Sequence, residues 1–108
     1  MNEDQALSAF AALSNKSRLS VVRCLVQAGP EGMTAGDIAR RVGGSPSQTS
    51  FHLSSLSENG LISSERQARR IIYRVEYQRI GDLVHFLLED CCGGNPIVRS
   101  CCEPRQGC

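Results

Sequence analysis

The chain has 108 residues, which is enough for one packed domain and too few for two. Hydrophobic residues make up 41% and charged residues 21%, a composition typical of a globular domain and not of a disordered or fibrous chain. The net charge of +1 does not by itself indicate a nucleic-acid partner. No apolar run approaches the roughly 18 residues of a membrane span, and the N-terminus carries acids where a signal peptide carries positive charge. We therefore expect a cytoplasmic protein with no membrane partner.

Two helices are predicted in the first 28 residues. Apolar residues recur at helical spacing over residues 6–13, after a polar start. A second helix follows Asn15 and stops at the breaker pair Gly29-Pro30. Its predicted apolar face consists of Leu19, Val22, Leu25 and Val26. Cys24 lies inside this helix, and its neighbours predict a buried core residue rather than a ligand.

A helix-turn-helix is predicted next. The first of its helices spans residues 34–42, with Thr34 as the N-cap and Asp37 completing an acidic form of the capping box. After two glycines, Ser45 caps a longer helix over residues 45–58, which has proline at its first helical position. Two short helices joined by a glycine-containing turn form this motif.

A β-hairpin and a last helix are predicted in the second half. After Leu61 and Ile62, the segment Ser63–Gln67 is polar and charged, and Arg69–Glu76 alternates polar with apolar residues. This pattern indicates a strand, a turn and a second strand. Helical spacing returns from Arg79, and Cys91 continues the apolar stripe four residues after Leu87. The fold class is therefore mainly α with a small β-hairpin.

The second helix of the helix-turn-helix presents an almost uncharged outer face. A step of 100° per residue places Ser47, Gln48, Phe51, Ser54 and Ser55 outward. Glutamine pairs with adenine, serine with either base, and an apolar group meets a thymine methyl, as a major-groove reader requires. Phe51 has an alternative role, covering a neighbouring helix. The predicted base-contacting residues are Ser47, Gln48, Ser50 and Phe51.

His52 lies at the edge of the inward face of the same helix, where we expect a hydrogen-bonded structural histidine rather than a metal ligand.

Positive charge is concentrated around the predicted hairpin. Five arginines oppose two acids between Leu61 and Ile80. Arg66, Arg69 and Arg70 at the turn are placed to contact DNA phosphates, and the hairpin would then be the wing of a winged helix-turn-helix. The alternative is a solvated basic strand surface.

Four segments together resemble the ArsR/SmtB family of metal-sensing repressors. They are ALSNKSRLSVVRCL (Ala12–Leu25), TAGDIARRV (Thr34–Val42), SPSQTSFHLSSLSENGLI (Ser45–Ile62) and RIIYRV (Arg70–Val75). The resemblance implies a winged-helix repressor of operator DNA, and a homodimer formed through its first and last helices. Residues 1–92 would be the DNA-binding and dimerisation domain, and residues 93–108 a cysteine-rich tail completing the ligand site.

Two of the sensing sites known in this family are missing here. The paired-cysteine motif of many arsenic sensors would fall near MTAGD (Met33–Asp37), which contains no cysteine. The zinc site on the final helix needs a second histidine, and none follows Asp82 and His85. We therefore expect these two residues to be ordinary helix-surface residues.

Five of the six cysteines fall in the last eighteen residues. The run EDCCGGNPIVRSCCEP resembles the subgroup whose arsenite site combines a C-terminal cysteine doublet with a third cysteine several residues later. The longer gap and second doublet leave open whether Cys101 or Cys102 completes the site, and Cys108 is left out. Soft thiolates without histidine favour trivalent arsenic or antimony as inducer. The predicted ligands are Cys91, Cys92, Cys101 and Cys102.

Other functions remain open at this point. The tail cysteines would also serve a redox-sensing repressor, or a cytoplasmic metalloid chaperone that does not bind DNA. They could equally be passengers in a disordered tail. An enzyme is not expected, because the sequence has no glycine-rich phosphate loop and no nucleophile beside a base.

Overall fold

The computed structural model describes residues 1–88, which form five α-helices, one short 3-10 turn and three β-strands. The predicted site cysteines from Cys91 onward and the proposed boundary between residues 92 and 93 lie outside this range. In chain order the elements are α1 (Glu3–Leu13), α2 (Lys16–Ala28), the 3-10 turn (Gly29–Glu31), β1 (Met33–Thr34), α3 (Ala35–Val42), α4 (Pro46–Glu58), β2 (Ile62–Gln67), β3 (Arg70–Val75) and α5 (Tyr77–Leu88).

Side-chain caps begin the first four helices, and those of α3 and α4 are the predicted Thr34 and Ser45. Asn2 forms a reciprocal capping box with Gln5, and Asn15 Oδ1 accepts backbone hydrogen bonds from Ser17 and Arg18. Such caps satisfy backbone N–H groups that have no partner within the helix.

The expected capping box of α3 is only half formed. Thr34 Oγ1 accepts from the Asp37 backbone N–H at 3.2 Å, as predicted. The carboxylate of Asp37 instead forms an ion pair with Arg40, one helical turn later. The Arg40 guanidinium offers a charged donor on the same helix face. The prediction that the Asp37 carboxylate completes the capping box is therefore wrong.

The hairpin of β2 and β3 is confirmed, and β1 adds a third antiparallel strand in the order β1-β3-β2. β1 pairs Met33 with Tyr73 and Thr34 with Ile72. Gly32 permits this approach, because a Cβ at this position would lie 2.5 Å from the Tyr73 carbonyl oxygen. Its φ of 69° also favours glycine. The sheet joins the helix-turn-helix to the hairpin.

α2 passes through the centre of the domain and buries a different face from the predicted one. Leu19 and Val26 are each 45% exposed, whereas Val21 and Cys24 are buried beside the predicted core residues Val22 and Leu25. Cys24 is thus confirmed as a core residue. The prediction for Leu19 and Val26 is wrong because α2 contacts helices or strands on several sides, and the buried face follows those neighbours.

α5 begins at Tyr77, two residues before the predicted start, and packs against α1. Of its apolar stripe only Leu83 is buried. Val84, Phe86 and Leu87 are exposed, as is Leu7 on α1. Within residues 1–88 no helix is both long enough and apolar enough to cross a bilayer.

Candidate nucleic-acid interface

α4 is anchored by three buried side chains that set the direction of its outer face. Thr49, Leu53 and Leu56 are each no more than 2% exposed. Ser45 caps the helix by accepting from the Gln48 backbone N–H at 3.2 Å. The four residues predicted to contact bases are all exposed: Ser47, Gln48, Ser50 and Phe51. This end of α4 therefore presents hydroxyl, amide and aromatic groups to the surroundings without a charged side chain among them.

Phe51 is the most exposed aromatic residue on α4, with 67% of its surface accessible. Its ring meets the edge of His52 with ring centroids 5.7 Å apart. A side chain this exposed does not cover a neighbouring helix within the domain, so that alternative is wrong. The ring is free to contact a partner molecule.

The hairpin tip carries three exposed arginines, Arg66, Arg69 and Arg70. Gln67 pairs with Arg70, which leaves Ala68 and Arg69 as a two-residue turn. Within residues 1–88 none of the three arginines takes part in an ion pair. Their guanidinium groups are available for an anionic ligand.

One other arginine of this basic region, Arg74, is already engaged in the fold. Arg74 Nη1 donates to Glu65 Oε1 at 2.7 Å, and its Nε donates to the Pro30 carbonyl at 2.7 Å. Arg79 lies over Gly60, where a Cβ would come within 3.2 Å of its Nε. Within residues 1–88 Arg79 forms no ion pair and its buried Nε has no hydrogen-bond partner, so Arg74 is the one of the five arginines that pairs with an acid there.

Comparisons with known proteins agree with this geometry. A helix-turn-helix domain model matches residues 13–65. The HTH-type transcriptional regulator YgaV of Escherichia coli is 35% identical over 81 residues, which are 75% of this chain and 80% of that protein. The chain belongs to the ArsR family of transcriptional regulators.

Further relatives support the family and the winged-helix fold. The nodulation protein NolR of Rhizobium meliloti is 38% identical over 74 residues, which cover 67% of this chain and 58% of NolR. A solved ArsR-like regulator from Rhodococcus has a TM-score of 0.70 at 28% identity, covering 78% of this chain and 76% of that one.

A homodimeric winged helix-turn-helix domain from Mycobacterium bovis has a TM-score of 0.66 at 24% identity, over 79% of this chain and 77% of that one. At this identity the match supports the fold alone. This ArsR-family chain is thus a winged helix-turn-helix regulator with a DNA-binding domain.

The hydrogen bonding of His52 differs from what the sequence predicts. Its Nδ1 atom is buried and has no hydrogen-bond partner among residues 1–88, whereas a hydrogen-bonded structural histidine was predicted. The ring lines a small pocket of about 190 Å³ between α2 and the helix-turn-helix, together with Ser17, Gly44 and Thr49. The sequence places His52 near the core, but this polar pocket depends on the spacing of separate helices.

Cys24 is a buried thiol whose environment disfavours the reactive thiolate form. Its Sγ lies 3.3 Å from Met33 Sδ, and burial raises the pKa of the Cys24 thiol despite the opposing charge of Arg41. A raised pKa disfavours the thiolate, which is the form that reacts and binds metals.

Asp82 and His85 lie on the exposed side of α5, and Asp82 Oδ1 accepts from Gln78 Nε2 at 2.9 Å. They are helix-surface residues, as predicted. Among residues 1–88 no three histidine, cysteine or acidic side chains are grouped so that they could hold a metal ion.

Proposed function

We propose that this ArsR-family regulator is a homodimeric repressor that leaves its operator when trivalent arsenic or antimony binds the C-terminal cysteines. DNA binding would place α4 in the major groove and the β2–β3 hairpin against the backbone. The observation that carries the DNA-binding part is the combination of an exposed, uncharged face on α4 with three hairpin arginines that form no ion pair within residues 1–88.

Base recognition would come from the N-terminal half of α4. The exposed amide of Gln48 has the donor and acceptor needed to pair with both major-groove groups of adenine. Ser47 and Ser50 offer hydroxyls to either base, and Phe51 offers an apolar ring to a thymine methyl. Because this face carries no charge, most of the affinity must come from phosphate contacts elsewhere, which the hairpin arginines would supply.

Dimerisation would cover an apolar surface that the monomer leaves exposed. Leu7 on α1 is 59% exposed and Leu87 on α5 is 62% exposed, and the two helices pack against each other. Val84 and Phe86 extend the same exposed apolar character along α5. Exposed apolar surface of this kind marks protein interfaces, and the winged-helix neighbour from Mycobacterium bovis is described as a homodimer. The two domains of the dimer would then present two copies of α4, the reading helix, to two half-sites of the operator.

The inducer part of the proposal rests on the chemistry of the donor set. Cys91, Cys92, Cys101 and Cys102 supply up to four soft thiolates with no histidine among them, and soft ligands favour thiophilic ions. The core thiol Cys24 is buried with a raised pKa and would not compete for the ligand.

Release would act through the end of the dimer helix. Cys91 follows Leu88, the last residue of α5, by three residues, so ligation there would bias the geometry of α5 in the dimer. A ligand shifts DNA affinity only by binding one protein state more tightly than the other. The ligated state would be the one whose two reading helices no longer match the half-site spacing.

The test is DNA binding by fluorescence anisotropy in a reducing buffer, using a duplex that the protein itself selects from a random pool. Addition of arsenite should release the duplex, and peroxide without arsenite should not. Release by peroxide alone would favour the alternative of a thiol-based redox repressor, which uses the same cysteines. Failure of the protein to select any duplex would reject the DNA-binding part.

A further inference from the structure

A groove of about 370 Å³ lies between α2 and α3, away from the hairpin arginines. Its α2 wall carries Ser20, Arg23 and Gln27, and its α3 wall carries Arg41. Both charged side chains that line it are therefore positive, and neither an aspartate nor a glutamate is among the lining residues.

Neither guanidinium is neutralised within the domain. The ion pairs within residues 1–88 join Arg40 to Asp37 and Arg74 to Glu65, so that Arg23 and Arg41 keep their full charge. Arg41 Nη2 donates to Gln27 Oε1 at 3.4 Å, a long hydrogen bond between the two walls of the groove. The charge of Arg41 also acts on the pKa of Cys24, another lining residue of the groove.

We propose that this groove binds a phosphate-type oxyanion between Arg23 and Arg41. Guanidinium groups present planar forks of N–H donors that match phosphate oxygens in pairs. The Ser20 hydroxyl and the Gln27 amide add neutral donors on the same wall. Two positive side chains that line one groove repel each other, and an anion bound between them offsets that repulsion.

The phosphate can come from two sources, the DNA backbone or free inorganic phosphate. Arg41 precedes Ser45, the N-cap of α4, by four residues, so its Cα lies at most about 14 Å from the start of the reading helix. A long arginine side chain at that distance would extend toward a backbone phosphate beside the major groove. The groove would then be a second phosphate contact, separate from the wing. This inference does not depend on the metalloid part of the proposed function.

Two neighbouring arginines of α3 provide a matched pair of variants. Arg41→Gln and Arg40→Gln make the same charge change on adjacent exposed residues, but only Arg41 lines the groove. The first measurement titrates inorganic phosphate into the DNA-free protein at constant ionic strength and follows backbone amides by NMR. We expect saturable shifts at Gln27 and Val42 in the wild type and in Arg40→Gln, and their loss in Arg41→Gln and in Arg23→Gln.

The second measurement is the salt dependence of binding to the selected duplex. If the occupant is a DNA phosphate, the double variant Arg23→Gln with Arg41→Gln should lower the slope of log K against log salt by about 1.8, and Arg40→Gln should leave it unchanged. Phosphate-induced shifts with an unchanged slope would identify a free anion as the ligand. If phosphate causes no shifts in the wild type and the double variant keeps the wild-type slope, the groove is not an anion site, while the DNA-binding function stands.

Discussion

Arg74 and Glu65 form an ion pair across the hairpin, with Nη1 and Oε1 2.7 Å apart. Their positions are two residues out of register, because Arg74 faces Ser63 and Glu65 faces Ile72. A hydrogen bond from Gln67, and after it this contact with Arg74, lower the pKa of the Glu65 carboxyl. Arg74 is therefore held within the hairpin, and under the proposed function the arginines at the tip would make the phosphate contacts of the wing.

The first prediction tests that division of roles. Replacing Arg69 and Arg70 together by alanine should weaken binding to every DNA sequence and lower the salt slope by about 2, because two phosphate contacts are lost. Fluorescence anisotropy at several salt concentrations measures the slope. Arg74→Ala is the control and should leave the slope unchanged, since its guanidinium is held by Glu65 and Pro30. An unchanged slope in the double variant would remove the hairpin tip from the interface.

Gln48→Ala should change base preference rather than overall affinity for DNA. The exposed amide is the best candidate for paired hydrogen bonds to adenine, which are worth about 1–3 kcal/mol of discrimination. The measurement compares affinities for the selected duplex and for duplexes substituted at each adenine. Ser57→Ala, an exposed position near the other end of α4, is the control. Equal losses on selected and random DNA would contradict the assignment.

Ala68→Gly should stabilise the domain by about 1 kcal/mol. Ala68 has a φ of 57°, and positive φ costs a residue with a Cβ roughly 1–2 kcal/mol, a cost that glycine does not incur. Glycine also raises the conformational entropy of the unfolded chain, which offsets part of this gain in stability. Chemical denaturation measures the free energy of unfolding. Ala11→Gly, at an exposed helical position, is the control and should lose stability by about 1 kcal/mol. Equal destabilisation by both changes would contradict a positive φ at the turn.

The helices were predicted well from the sequence, because the interactions that begin a helix join residues only a few positions apart. The caps Asn2, Asn15, Thr34 and Ser45 each bond backbone groups two or three residues away, so a sequence pattern contains the whole interaction. The exposed outer face of α4 followed from the same kind of periodicity.

Features that depend on distant residues could not be predicted in this way. β1 has two residues and exists only through its pairing with β3, forty positions later in the chain. Arg23 and Arg41 both line the groove between α2 and α3, although they belong to no common motif in the sequence. Periodicity identified apolar residues on α2 but could not show that Leu19 and Val26 stay exposed, because that depends on which sides of α2 the other elements pack against.

The last prediction concerns the inducer and the four tail cysteines. Cys91→Ser or Cys92→Ser should leave DNA binding intact and abolish release by arsenite, because a hydroxyl keeps the size of the side chain and loses the soft thiolate. The measurement is an arsenite titration of the protein–DNA complex in reducing buffer. Cys101→Ser and Cys102→Ser should differ from each other if only one of them completes a three-sulfur site. Equal partial defects would mean that each can replace the other.

Cys24→Ser is the matched control for these substitutions. It should respond to arsenite as the wild type does, at a cost of about 1–3 kcal/mol in the free energy of unfolding if the new hydroxyl finds no partner in the core. The reverse pattern would contradict the proposal directly. If all four tail variants still release DNA with arsenite while Cys24→Ser does not, the sensor lies in the core of the domain and not in its C-terminal tail.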